Sequence, residues 1–239
     1  MLRKALFIIS IVTLALMSFQ TGYLFNRQSS PNQVLIFADG FESGDLSAWS
    51  SKVTDLGDLM VTSAAALVGT KGMQALIDDN HVLYVQDITP NNELTYNVKF
   101  HFDPNSISMA EMDTHTILSG QDFQGTTFVA AMRVELRYSA GAYRIRAGAR
   151  NYDLTWTNTR FFTISDAEHE IEVEWDAANP PGDNDGKLKL KIDGVLLGNR
   201  TGLNNDTFRI DRVRLGAVTG IDTGTRGTYY FDQFESYRN

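Results

Sequence analysis

Residues 169–194 read HEIEVEWDAANPPGDNDGKLKLKIDG. Ile171, Val173 and Trp175 alternate with Glu170, Glu172 and Glu174; further on, Leu188, Leu190 and Ile192 alternate with Lys187, Lys189 and Lys191. Successive side chains of a strand point to opposite faces, so each segment is a strand with one apolar and one charged face. Pro180, Pro181, Gly182 and Asp183-Asn184-Asp185-Gly186 supply the turn that joins them. The apolar face has to be the buried one, because a slip of one residue would put three carboxylates into the core.

The same period of two recurs outward from this hairpin. In 94–102, Leu94, Tyr96, Val98, Phe100 and Phe102 share one face, and Asp103-Pro104-Asn105 ends the strand. Residues 34–37, 60–68, 73–77, 81–88, 115–118, 127–138, 143–150, 161–164, 195–197, 208–215 and 228–237 also read as strands, and 106–113 as the one short helix. Many short strands with Gly, Asn and Asp at the turns predict an all-β chain folded as a two-sheet antiparallel jelly-roll sandwich. No repeat or low-complexity linker interrupts residues 34–239, which are expected to be a single domain.

Residues 1–33 look different. Arg3 and Lys4 precede the apolar run Ala5 to Met17, and the uncharged stretch continues to Phe25. That pattern is a cleaved signal peptide or, if residues 5–25 stay in place, an N-terminal membrane anchor. The expectation is a secreted or cell-surface protein. The chain has no cysteine, so thiol catalysis, iron–sulfur clusters and cysteine zinc sites are excluded. The four histidines show no zinc-ligand spacing. The net charge is −8, or −11 once Arg3, Lys4 and Arg27 are set aside. Such a chain is a poor nucleic-acid ligand.

His169-x-Ile171-x-Val173-x-Trp175-Asp176 followed by Gly186-x-Leu188-x-Leu190-x-Ile192-Asp193-Gly194 resembles the central hairpin of the concanavalin A-like lectin/glucanase superfamily, in its LamG-like branch. Val213-x-Leu215-Gly216-Ala217 and Tyr230-Phe231-Asp232 resemble that branch's last strands. Gly40-Phe41-Glu42-Ser43-Gly44, with Trp49 downstream, resembles the opening of carbohydrate-binding jelly rolls. The resemblance implies a concanavalin A-like fold. Because that fold hosts lectins, adhesion modules, hydrolases and lyases, function has to be argued from the site.

Three constellations follow. Glu170, Glu172 and Glu174 are similar to the catalytic strand of laminarinase-type hydrolases, with Glu172 where that family has Asp. Such enzymes hold their two carboxyls about 5–5.5 Å apart. A solvated charged face is the alternative. Arg133-Val134-Glu135-Leu136-Arg137 resembles a strand of jelly-roll alginate lyases, but the Gln-x-His of those enzymes is missing, and His115 stands instead in Thr114-His115-Thr116. With Arg144, Arg146 and Arg150 these arginines make a row suited to carboxylates and sulfates, unless they pair with the glutamate row on a neighbouring strand. Trp156, in a polar stretch, is a candidate stacking platform for a sugar, whereas Trp49 and Trp175 look like core. Third, the resemblance implies one structural calcium ion held by Asp39, Glu42 and Asp232. The resulting expectation is a non-catalytic carbohydrate-binding or adhesion module for an extracellular, anionic polysaccharide. A hydrolase or lyase, and a structural surface domain without ligand, are the alternatives.

Overall fold

The computed structural model describes residues 33–239; the leader or anchor assigned to the N-terminal stretch lies outside the described residues. The chain runs through β1 (Val34–Asp39), β2 (Ser51–Val53), β3 (Leu59–Thr62), β4 (Gly72–Ile77), β5 (Leu83–Asp87), β6 (Thr95–Asp103), β7 (Ser108–Met109), β8 (Thr114–Phe123) and β9 (Phe128–Ser139). It continues through β10 (Ala142–Arg150), β11 (Trp156–Asn158), β12 (Phe162–Ile164), β13 (His169–Asp176), β14 (Gly186–Ile192), β15 (Val195–Leu203), β16 (Arg212–Thr219) and β17 (Thr225–Arg238). Two short 3-10 turns, Asp55–Gly57 and Ser63–Ala65, are the only helical pieces among the described residues.

The strands form two antiparallel sheets. The first has the order β15-β14-β13-β6-β17-β4-β3, with β1 and β7 also paired to β17; the second has the order β11-β10-β9-β8-β16-β5-β2, with β12 paired to β10. This is the expected sandwich. The hairpin of β13 and β14 pairs Val173 with Leu190 and Trp175 with Leu188. Ile171, Val173, Trp175, Leu188 and Leu190 are fully buried. Each is worth about 1.5–3 kcal/mol of apolar burial, and together they fix the register against Phe100, Val98 and Tyr96 of β6. From the other sheet Val134, Leu136, Ile145, Val213 and Leu215 close the same core.

The two ends of the domain lie side by side, β1 against β17, with Ala38 opposite Glu235 and Asp39 opposite Phe234. Trp49 seals that seam against Phe37 and Phe234, each with ring centroids 4.9 Å away. The helix expected at 106–113 does not form. Asn105, Ser106 and Met112 have positive φ, Asp166 accepts from both the backbone N–H and the hydroxyl of Ser106, and β7 pairs with β17 instead. Side-chain bonds to the backbone compete directly with a helical ladder.

Candidate functional site

The outer face of the second sheet carries a cluster of arginines. On β9, Val134 and Leu136 point into the core, so Arg133, Glu135 and Arg137 point out. On β10, Tyr143, Ile145, Ala147 and Ala149 point in, so Arg144, Arg146, Gly148 and Arg150 point out. The structure adds β16, whose inward Val213 and Leu215 turn Arg212 and Arg214 onto the same face. The alternation Arg212-Val213-Arg214-Leu215 was the signal for them. Register fixes the neighbours: Arg144 lies opposite Arg137, Arg146 opposite Glu135, and Gly148 opposite Arg133. Arg212 lies opposite Gln121 and Arg214 opposite Ser119.

Six of the seven guanidiniums lie over an aromatic ring; Arg144 instead donates through Nε to the carbonyl of Ser139 at 3.4 Å. Arg137 and Arg146 lie over the ring of Phe161, at 4.0 and 4.4 Å. Arg133 lies over Trp156 at 4.0 Å and Arg150 at 5.6 Å. Arg212 covers Phe128 and Arg214 covers Tyr84, at 3.5 and 4.2 Å. Trp156 is therefore neither core nor bare platform. It is a half-buried shelf for two arginines packed close over Gly148, where a Cβ would come within 2.4 Å of Asn158 Oδ1 and 3.3 Å of the indole.

The inner edges of the forks are anchored through Nε. Arg137 donates to Thr114 Oγ1 at 2.7 Å, Arg146 to Glu135 Oε2 at 2.6 Å, Arg212 to Gln121 Oε1 at 2.6 Å, and Arg214 to Gln86 Oε1 at 2.9 Å. Among the described residues, none of these four donates a hydrogen bond through an Nη. An aromatic backing and a fixed Nε leave the two Nη groups as a pre-set fork of donors.

The charge on this face is poorly balanced. Glu135 is the carboxylate set among the seven arginines, bridging Arg146 and Arg133 Nη1, the latter at 3.3 Å. Burial, then the like charge of Arg214, pushes Arg212 down to about 10. Burial also lowers Arg133, with Glu135 opposing and Arg146 and Arg150 adding to it. Both remain charged at neutral pH.

The glutamate row lies on the other side of the molecule, so the alternative of arginine–glutamate pairing is corrected. Glu170, Glu172 and Glu174 project from the outer face of the first sheet, where lysines meet them. Lys191 Nζ reaches Glu172 at 2.9 Å and Glu174 at 2.5 Å, Lys189 reaches Glu174 at 2.6 Å, and Lys99 reaches Glu170 at 3.3 Å. Burial on its own would raise Glu174, but the bonds from Lys189 and Lys191 outweigh it and hold the carboxyl below its usual range. A glycosidic general acid needs the opposite shift. The lyase reading keeps the outward Arg133 and Arg137 and lacks a histidine beside them. His115 is buried between the sheets, stacked on Tyr229 at 5.8 Å, and burial pushes its pKa down to about 4.

Asp39, Glu42 and Asp232 do not gather their oxygens as a trio; among the described residues only Asp55, Asp79 and His81 do so, on the surface. Asp232 Oδ2 accepts from the N–H groups of Leu67 and Val68, at 3.0 and 2.9 Å. Glu42 Oε1 accepts from Thr70 and Lys71, at 2.7 and 3.1 Å. Asp39 accepts from Phe41 N and Trp49 Nε1, both at 2.8 Å. Calcium needs six to eight converging oxygens; this donor set is committed to N–H groups and does not fit it.

No protein-family model matches the sequence, and no curated protein matches it. Solved structures do resemble the fold. One is a carbohydrate esterase of the Shiga toxin-encoding bacteriophage phi24B, with TM-score 0.59 and 14% identity over 87% of this chain and 99% of that one. A second is the alginate lyase Aly36B in complex with alginate tetrasaccharide, at 0.57 and 11% over 87% and 97%. A third is domain 4 of the arabinanase AbnA of Geobacillus stearothermophilus in complex with arabinotriose, at 0.55 and 15% over 87% and 93%. The fold is thus a two-sheet β-sandwich jelly roll, shared with these structures.

Proposed function

We propose that residues 34–239 are an exported glycan-binding module whose ligand is an anionic polysaccharide held on the arginine face. The observation that carries this reading is the face itself: seven outward arginines around Glu135, six of them backed by an aromatic ring, on a chain of net charge −8. Guanidinium forks match uronate carboxylates and sulfate esters bidentately. A local cationic field on an acidic protein localises a polyanion to that face and repels it elsewhere. The named solved neighbours act on or bind carbohydrates, which is consistent with a glycan partner. The N-terminal stretch supports a secreted or surface-anchored location. The purified protein should be titrated with alginate, a sulfated galactan and a neutral β-glucan at low and high salt. Salt-sensitive binding of the two polyanions supports the reading. Equal, salt-insensitive binding of the neutral glucan would overturn it.

A further inference from the structure

A second constellation sits at the rim of the sandwich, on residues unrelated to the arginine face. Ser165 follows β12, His169 opens β13, and Asp193 occupies the turn between β14 and β15. Ser165 Oγ lies 2.8 Å from His169 Nε2, and His169 Nδ1 lies 2.7 Å from Asp193 Oδ2. The local sequence explains the placement. Asp193-Gly194 is a two-residue hairpin turn with φ of 53° and 74°, the left-handed pair that Asp-Gly favours. It turns the carboxylate back onto β13, where Asp193 Oδ1 also accepts from Glu170 N at 3.0 Å.

The tautomer is set as well. The backbone N–H of Ser165 donates to His169 Nε2 at 3.1 Å. That nitrogen is therefore the acceptor, and the ring proton sits on Nδ1 facing Asp193. The His169 side chain is 13% exposed and that of Asp193 53%. Ser165 also lines a cavity of about 380 Å³ together with Tyr138, Ala142, Tyr143, Ile164 and Asp166. This volume lies in the range of small-molecule sites.

We infer that Ser165, His169 and Asp193 form a nucleophile–base–acid relay that hydrolyses small acyl esters. Ser165 Oγ would attack the ester carbonyl carbon while its proton passes to His169 Nε2, and Asp193 stabilises the imidazolium. The tetrahedral adduct collapses by breaking the bond to the alkoxy oxygen, which leaves with the proton from His169. Water then attacks the acyl-serine and gives a proton to His169. Collapse returns that proton to Ser165 and releases the carboxylic acid. Ester and water are consumed; alcohol and acid are formed. Half-apolar walls of Tyr138, Tyr143 and Ile164 suit a short acyl chain. The alcohol half rests on the glycan reading above. Arg144 lies in register with Thr163, two residues before the nucleophile, so an O-acylated anionic glycan on the arginine face would present its esters at this rim.

The test uses the full chain with p-nitrophenyl acetate and a fluorophosphonate label, neither of which needs the arginine face. Esterase turnover and a phosphonyl adduct located on Ser165 by mass spectrometry are expected. Ser165→Ala and His169→Gln should fall to the buffer rate, and Asp193→Asn by about tenfold or more, with melting temperatures within a few degrees of wild type. Hydrolysis at the buffer rate with no adduct on the wild-type protein would overturn the relay, as would turnover that survives Ser165→Ala. Acetate release from an acetylated polyuronate then tests the substrate. Turnover of the small ester with no release from the polymer would overturn the glycan half and leave the relay standing.

Discussion

Arg144 stands directly opposite Arg137 across β9 and β10, and the carboxylate of Glu135 is turned instead to Arg146 and Arg133. Like charges directly opposite each other destabilise an antiparallel pair. Arg144→Ala should leave the melting temperature unchanged or slightly higher, since it removes the opposed charge. The same substitution should weaken polyuronate binding about fivefold to tenfold, measured by calorimetry at low salt. Arg144→Lys should recover only part of it, because an ammonium lacks the planar fork.

Glu135 should behave in the opposite sense. Its side chain is 8% exposed and bridges two arginines. Glu135→Gln leaves both without their counter-charge, and unfolding free energy should fall by about 1–3 kcal/mol, a buried-pair cost discounted for the partly exposed arginines. Anion binding should tighten, because the face gains one net positive charge. Denaturant melts and polyuronate titrations on one variant check both signs.

His115 makes stability pH-dependent. Burial holds its folded-state pKa near 4, with Asp222 pulling weakly upward, against an ordinary value of 6.5. Between these two values the unfolded chain binds a proton that the native chain refuses, so stability is whole above pH 6.5 and falls as the pH drops toward 4. The loss over that window is about 3 kcal/mol. His115→Phe, which keeps a ring against Tyr229, should flatten the dependence of the urea midpoint on pH across this window. An unchanged slope would show that other groups cause it.

Asp232 and Glu42 clamp residues 67–71 through backbone N–H groups. Asp232→Asn should cost about 2–4 kcal/mol, since an amide offers one acceptor where the carboxylate offers two. If these bonds and not an ion hold the loop, the wild-type melting temperature will be the same in calcium and in chelator. A rise in calcium would show an ion bound to the native state.

Much of this was legible in order along the chain. The alternation of Ile171, Val173 and Trp175 with glutamates determined which face of β13 is buried, and the same period placed Arg133, Arg137, Arg144 and Arg146 outward. Elsewhere local pattern failed. Residues 119–121 lack alternating hydrophobics, so β8 read as far shorter than the strand Thr114–Phe123. Its polar side chains are buried by neighbouring arginines rather than by oil. The shelf under Arg133 and Arg150 depended on Trp156, whose stretch gave no period to read.

The sequence by itself determined most of the long strands, their buried faces and the all-β class, because side-chain direction in a strand is a property of neighbours one and two residues away. Only the tertiary structure decided that the arginine and glutamate rows lie on different sheets, that β16 adds Arg212 and Arg214, and that Ser165, His169 and Asp193 meet. Strand order and turn placement bring together residues separated by 24 to 128 positions. Those pairings follow from how two sheets share one core, which no local period encodes.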